Sequence, residues 1–126
     1  MNSTVLVVED DERLASLVCQ VLEIHQRDAE IHSTAASALE ALDRNCDAQA
    51  SDGPRYEVLV TDYLIAGEVN GAELVRAAVD IEPALHCVIM SGHTASIDRA
   101  ELPAHVELLQ KPFSVDEFVS KVLGAH

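Results

Sequence analysis

The strongest constraint on the fold lies in the stretch Tyr56–Tyr63, YEVLVTDY. Val58, Leu59 and Val60 are apolar without alternation, so a strand made from them has to be covered on both faces, as in a central parallel strand. The run then ends on Asp62, whose charge would have to be desolvated if it faced a core. Ligands of open α/β sheets bind outside the carboxyl ends of the strands, so the residue suits chemistry better than packing.

Four further segments repeat the pattern along the chain. Thr4–Val8 is a second compact apolar strand and runs into Glu9, Asp10 and Asp11. Leu14, Leu17, Val18, Val21 and Leu22 follow at helical spacing, predicting an amphipathic helix over Glu12–His25 with Asp10 or Asp11 as its N-cap. One cap accounts for one aspartate and leaves two acids unexplained. Ala29–Ser33 is a weaker strand suited to a sheet edge, and Thr34–Arg44 is a helix facing Leu39 and Leu42 inward. Asn45–Arg55, NCDAQASDGPR, is polar with Gly-Pro punctuation and is expected to be a mobile surface loop, longer than the ~2–6 residues usual between helix and strand.

After the Asp62 strand, Asn70-Gly71 marks a turn and Ala72–Val79 a short helix anchored by Leu74 and Val75. Leu85–Met90 is the fourth strand. The segment 93–104 has room for one or two helical turns before Pro103. Val106–Leu109 is the fifth strand, and Ser114 caps a last helix with Val115, Phe118, Val119 and Val122 on one face.

Five strands alternating with five helices predict an α/β fold. It is a doubly wound, five-stranded parallel sheet with right-handed crossovers, strand order 2-1-3-4-5 and its crevice between strands 1 and 3. All 126 residues are expected to form one domain. Glu9, Asp10 and Asp62 then meet at the crevice, with Ser91 and Lys111 at the same edge from strands 4 and 5.

Composition removes several function classes. The net charge of −14, from 22 acidic and 8 basic residues, repels nucleic acid. No apolar run approaches the ~18 residues of a membrane span. The N-terminus lacks a signal-peptide pattern, so a cytoplasmic location is expected. Cys19, Cys46 and Cys87 are too scattered for a disulfide framework or a metal set, and Cys19 and Cys87 read as core residues. The six histidines show no ligand spacing, and all but His93 read as surface or satisfied groups.

Clustered carboxylates without His or Cys partners favour a hard cation, and Mg2+ fits best because it needs few protein oxygens beside a phosphate. A carboxylate beside Mg2+ can attack phosphorus and become an aspartyl phosphate. Lys111 would add positive charge and Ser91 a hydrogen bond around the phosphoryl oxygens, with Gly92 leaving room for close backbone approach.

VLVVEDD, VTD with a Gly-containing loop, MSG and QKPF, in this order, resemble the response-regulator receiver domain, a flavodoxin-like fold, across essentially the whole chain. The resemblance implies Asp62 as phosphoacceptor and Glu9, Asp10, Asp62 and the backbone carbonyl of Leu64 as ligands of Mg2+. It implies Ser91 as the switch hydroxyl, Lys111 as the phosphate-binding lysine, and a cis Lys111-Pro112 bond. The phosphoryl group would come from a histidine kinase or a histidine phosphotransfer protein, and the output would be binding to a downstream protein, with no nucleic acid or membrane involved. The chain is expected to be a stand-alone signalling receiver, catalysing only its own phosphorylation and dephosphorylation. The alternative is a phosphorylation-independent, receiver-like interaction module. A hydrolase with an aspartyl-phosphate intermediate lacks its second aspartate, since that position is Leu64.

Three departures from the family accompany this. The loop from Asp62 to Gly71 is longer by a residue than in the commonest members, resembling hybrid-kinase-type receivers, and carries Ala66 for the usual proline. Leu108 replaces the switch aromatic, so the hydroxyl–aromatic coupling lacks one partner. The fourth helix must be short. Leu64 and His93 occupy positions that tune hydrolysis of the acyl phosphate; the apolar Leu64 implies slow self-dephosphorylation, and His93 is either such a modulator or an exposed loop residue.

Overall fold

The computed structural model describes residues 3–47, 55–65, 69–103 and 106–124. Five parallel strands, β1 (Ser3–Val8), β2 (Asp28–His32), β3 (Arg55–Asp62), β4 (His86–Ser91) and β5 (Glu107–Gln110), form one sheet in the order β2-β1-β3-β4-β5. Helices α1 (Glu12–Ile24), α2 (Ala35–Asp47), α3 (Gly71–Ile81) and α4 (Val115–Val122) cover it.

The period-two geometry of the strands sorts their apolar residues into two layers. Val5, Val7, Val58, Val60, Val88, Met90 and Leu109 pack on α1 and α4 through Val18, Leu22, Phe118 and Val122. Leu6, Val8, Leu59, Cys87 and Ile89 face the other way, onto the alanine-rich face of α2 and onto Leu74 and Val75 of α3. Uninterrupted apolar strands are therefore required: each alternate residue serves a different core. Tyr56 joins the second layer with Leu59 because the β1–β3 register shifts between Thr4 and Val5, where Val5 skips to Val58.

The expected elements stand, with several corrections. Asn70-Gly71 is not a free turn. Asn70 caps α3, its side chain accepting from the Glu73 N–H while Glu73 answers at the Asn70 N–H, and Gly71 is already helical. That cap also starts α3 earlier than expected. The proposed loop over 45–55 is shortened at both ends, because α2 runs on to Asp47 and β3 begins at Arg55; residues 48–54 lie outside the described residues. Where a fourth helix was expected, only two single 3-10 turns occur, Thr94–Ser96 and Arg99–Glu101. Four α-helices, not five, are present among the described residues. Leu17 and Val115, expected inward, are 45% and 50% exposed. They rim a small apolar groove over Val18, Val21, Phe113 and Phe118. Cys87 is buried but Cys19 only partly so, and the side chain of Cys46 lies outside the described residues.

Candidate functional site

Each strand delivers its polar residue just as its ladder ends. The Glu9 N–H donates to His32 O at 3.0 Å, which carries β1 one residue further along β2 before α1 begins. Asp11 is the N-cap of α1, accepting from the Arg13 N–H at 3.0 Å, so Glu9 and Asp10 are left for other work. Asp62 pairs with Met90, and the Tyr63 N–H donates to Met90 O at 2.8 Å. The Lys111 N–H donates to Ser91 O at 2.8 Å, binding the ends of β4 and β5 together.

These ends converge. One carboxylate oxygen each from Glu9, Asp10 and Asp62 lies within 4.8 Å of the others. Lys111 Nζ stands 2.7 Å from Asp62 Oδ1 and 3.7 Å from Glu9 Oε2. Glu9 is only 3% exposed, whereas Asp10 is at the surface and Asp62 is half-buried. Glu9 Oε1 accepts from the Asp11 N–H at 3.1 Å, but Glu9 Oε2 is buried with no hydrogen-bond partner. At 3.7 Å the ammonium offers it charge and no hydrogen bond. Burial pushes the Glu9 carboxyl above its ordinary value, and the negative charges of Asp62 and Asp10 add to this; the Asp11 N–H and Lys111 pull it back.

An orphaned, buried carboxylate oxygen facing two other carboxylates fits a hard divalent cation bound through oxygen. With one ammonium against three carboxylates, the site keeps a surplus of negative charge.

Local packing explains how the other residues are held. The Lys111-Pro112 bond is cis, as expected. Phe113 stacks on Phe118 with ring centroids 5.8 Å apart, fixing the chain just beyond the lysine to α4. Gly71 is there for space: a Cβ would come within 2.6 Å of Asp62 O and 2.9 Å of Tyr63 Cα. Its N–H donates to Tyr63 O at 2.7 Å, so the start of α3 is pressed against the end of β3. A Cβ on Gly92 meets nothing within 4 Å, so that glycine leaves open space rather than relieving a clash.

Ser91 lies at the same edge, its Oγ accepting from the His93 N–H at 3.0 Å. His93 is exposed, and so is Leu64, at 76%. Leu108 is partly buried and packs against the α2–α3 layer. Ala66 lies outside the described residues.

A family model, the response regulator receiver domain, matches residues 5–123. The chain belongs to the response-regulator receiver family. The receiver is 26% identical over 120 residues to the response regulator receiver protein CpdR of Brucella abortus (strain 2308), covering 94% of this chain and 92% of that protein. Among solved structures it is similar to a response regulator receiver protein from Sinorhizobium medicae WSM419, with TM-score 0.81, 23% identity and coverage of 96% and 91%. It is also similar to a response regulator protein from Burkholderia pseudomallei, solved with a phosphorylated aspartic acid, a calcium ion and citrate. That match has TM-score 0.73 and 17% identity, covering 96% of this receiver and 66% of that chain.

The sequence pattern does not single out one residue beside the site. Gln110, the first residue of QKPF, accepts from the Thr94 N–H and hydroxyl and donates to the carbonyls of Gly92, directly after Ser91, and of Lys111. A long amide directly before the Lys-Pro pair was the available signal.

Proposed function

We propose that the receiver accepts a phosphoryl group on Asp62 from a phosphohistidine and signals through protein–protein binding. Support comes foremost from the meeting of Glu9, Asp10 and Asp62 with Lys111 2.7 Å from Asp62 Oδ1. A neighbour of this fold carries a phosphorylated aspartic acid.

In the reaction an Asp62 oxygen attacks phosphorus. The new O–P bond forms as the P–N bond breaks, and the histidine nitrogen leaves with the electron pair and takes up a proton. Lys111 moves from the carboxylate it now neutralises to the equatorial oxygens, whose charge it offsets. Ser91 donates its hydroxyl to another of these oxygens. Glu9 and Asp10 would hold Mg2+ with Asp62 and the Leu64 carbonyl, and the ion, when bound, would add positive charge against the phosphoryl oxygens. Leu64, exposed and apolar, offers no group to orient an attacking water, so the acyl phosphate is long-lived. The donor is a histidine kinase or a histidine phosphotransfer protein, and the phosphorylated surface is read by a downstream protein.

The test is intact mass after incubation with Mg2+ and acetyl phosphate, for the wild type and Asp62→Ala. A phosphate-sized addition in the wild type alone is the expected result. No addition in the wild type refutes the reading and leaves a phosphorylation-independent interaction module.

A further inference from the structure

The receiver has no aromatic at position 108 and no α-helix among the described residues between β4 and β5, yet the segment that follows Ser91 is tied down by hydrogen bonds. The restraint is the Gln110 side chain, which reaches out from the end of β5. Its Oε1 accepts from the Thr94 N–H at 3.1 Å and from the Thr94 hydroxyl at 2.7 Å. Its Nε2 donates to Gly92 O at 2.5 Å and to Lys111 O at 3.1 Å. The amide has one orientation only: a flip would set its NH2 against an N–H and its oxygen against two carbonyls. All the hydrogen-bonding capacity of the amide is thereby spent on residues next to Ser91 and on Lys111 itself.

We infer that Gln110 is a positioning residue that ties Ser91 and Lys111 into one unit, setting the spacing of the two groups that close on a phosphoryl group at Asp62. The inference rests on Asp62 being the phosphoacceptor. Gln110 does not touch the acidic cluster in the described contacts; it acts through its neighbours. Gly92 directly follows Ser91, and the Lys111 carbonyl belongs to the residue whose ammonium pairs with Asp62 and Glu9. The backbone bond from Lys111 N–H to Ser91 O, 2.8 Å, runs beside the amide bridge. One backbone bond permits the loop to hinge about it, and a second attachment further along the loop removes that freedom. A shift of Lys111 toward a bound phosphoryl group then carries the Ser91–Thr94 loop with it, a route outward that needs no aromatic at position 108.

The experiment titrates beryllofluoride, a phosphoryl mimic, with Mg2+ into the full chain, using fluorine NMR for affinity and amide NMR shifts at Gly92, His93 and Thr94. The variants are Gln110→Leu, which removes every bond, and Gln110→Glu, which keeps the Thr94 bonds but faces two carbonyls with an acceptor. Each is also made in the Ser91→Ala background. Losing net hydrogen bonds of ordinary strength weakens adduct formation on the order of fivefold in Gln110→Leu. Gln110→Glu falls with Gln110→Leu, melting temperatures stay close to wild type, and the loop amides no longer shift on binding. In Ser91→Ala the Gln110 substitutions have little further effect, because the residue they position is gone. Equal affinity and loop shifts in wild type and Gln110→Leu overturn the inference, as does full additivity with Ser91→Ala. No adduct on the wild type overturns both this inference and the phosphoacceptor reading beneath it.

Discussion

Glu9→Gln is expected to stabilise the receiver without Mg2+ and to weaken its response to Mg2+. The magnitudes come from the site. The Glu9 and Asp62 oxygens lie within 4.8 Å of each other, so at an effective dielectric of ~20 the two carboxylates repel by about 3.5 kcal/mol or more. Lys111 at 3.7 Å from Glu9 Oε2 returns about 4.5 kcal/mol on the same scale. The pairwise charges thus nearly cancel, more so once the screened repulsion from exposed Asp10 is added. What remains is the cost of burying a carboxylate oxygen with no hydrogen bond, about 1–3 kcal/mol. Glutamine keeps an oxygen for the Asp11 N–H and gains an N–H for the neighbouring carboxylates, so most of that cost is recovered. A gain of about 1–2 kcal/mol raises the melting temperature of a domain this size by roughly 4–8 °C.

Mg2+ offsets this difference. Binding only the folded site, at tenfold over its Kd it stabilises the wild type by about 1.4 kcal/mol, and the variant by much less. The pH dependence has a definite sign. The Glu9 carboxyl is raised from its ordinary value of 4.5, so the folded state holds the proton more tightly than the unfolded chain. Its contribution to stability is fully present below 4.5 and is lost as pH rises through the folded value. The advantage of Glu9→Gln is therefore largest at neutral pH and vanishes in acid. Thermal melts of both proteins, from neutral to acid pH with and without Mg2+, decide the matter. A variant less stable than wild type in chelator at neutral pH, or one gaining equally from Mg2+, would refute the reasoning.

Gly71→Ala should cost ~1–3 kcal/mol, because the added carbon strikes backbone that cannot rotate away. Gly92→Ala, with open space at its Cβ, should leave the urea midpoint unchanged; equal loss in the two variants would contradict the packing described for the start of α3. The thiol of Cys87, fully buried and pushed up to about 12 by that burial, should resist alkylation at pH 8 until the protein unfolds. Labelling of Cys87 at the rate of a free thiol in the native protein would show that the α2–α3 layer opens readily. With Leu64 exposed and apolar, phosphorylated receiver in Mg2+ should persist for minutes or longer; a phosphate signal gone within a minute would exclude that role for the position.

Much of the site was legible because its parts sit at strand ends, where local pattern is most informative. Apolar runs ending in Glu9-Asp10, Asp62, Ser91 and Gln110-Lys111 announce both the sheet and the edge at which they meet. The fourth-helix segment was less legible. Room for a helical turn says nothing about whether the turn propagates, and there the chain stays in two 3-10 turns, the first held by Gln110 at Thr94 and the second capped by Asp98. Leu17 and Val115 carry the right periodicity for burial, but Val18, Val21 and Phe118 take the buried positions and leave both at the rim of a groove.

Asp62, Glu9 and Asp10 at one edge of a parallel sheet follow from the order of apolar runs and acids alone, since strand periodicity and right-handed crossovers leave few alternatives. Which oxygen is orphaned follows from the tertiary structure, and so does the cap that releases Glu9 and Asp10 from helix duty. The same holds for the glutamine that bridges the ends of β4 and β5. The cap turns on which of two adjacent aspartates meets the Arg13 N–H. The orphaned oxygen and the glutamine bridge depend on distances of a few tenths of an ångström between segments remote in the chain, and hydrogen bonding falls off too steeply with distance for any one-dimensional pattern to carry it.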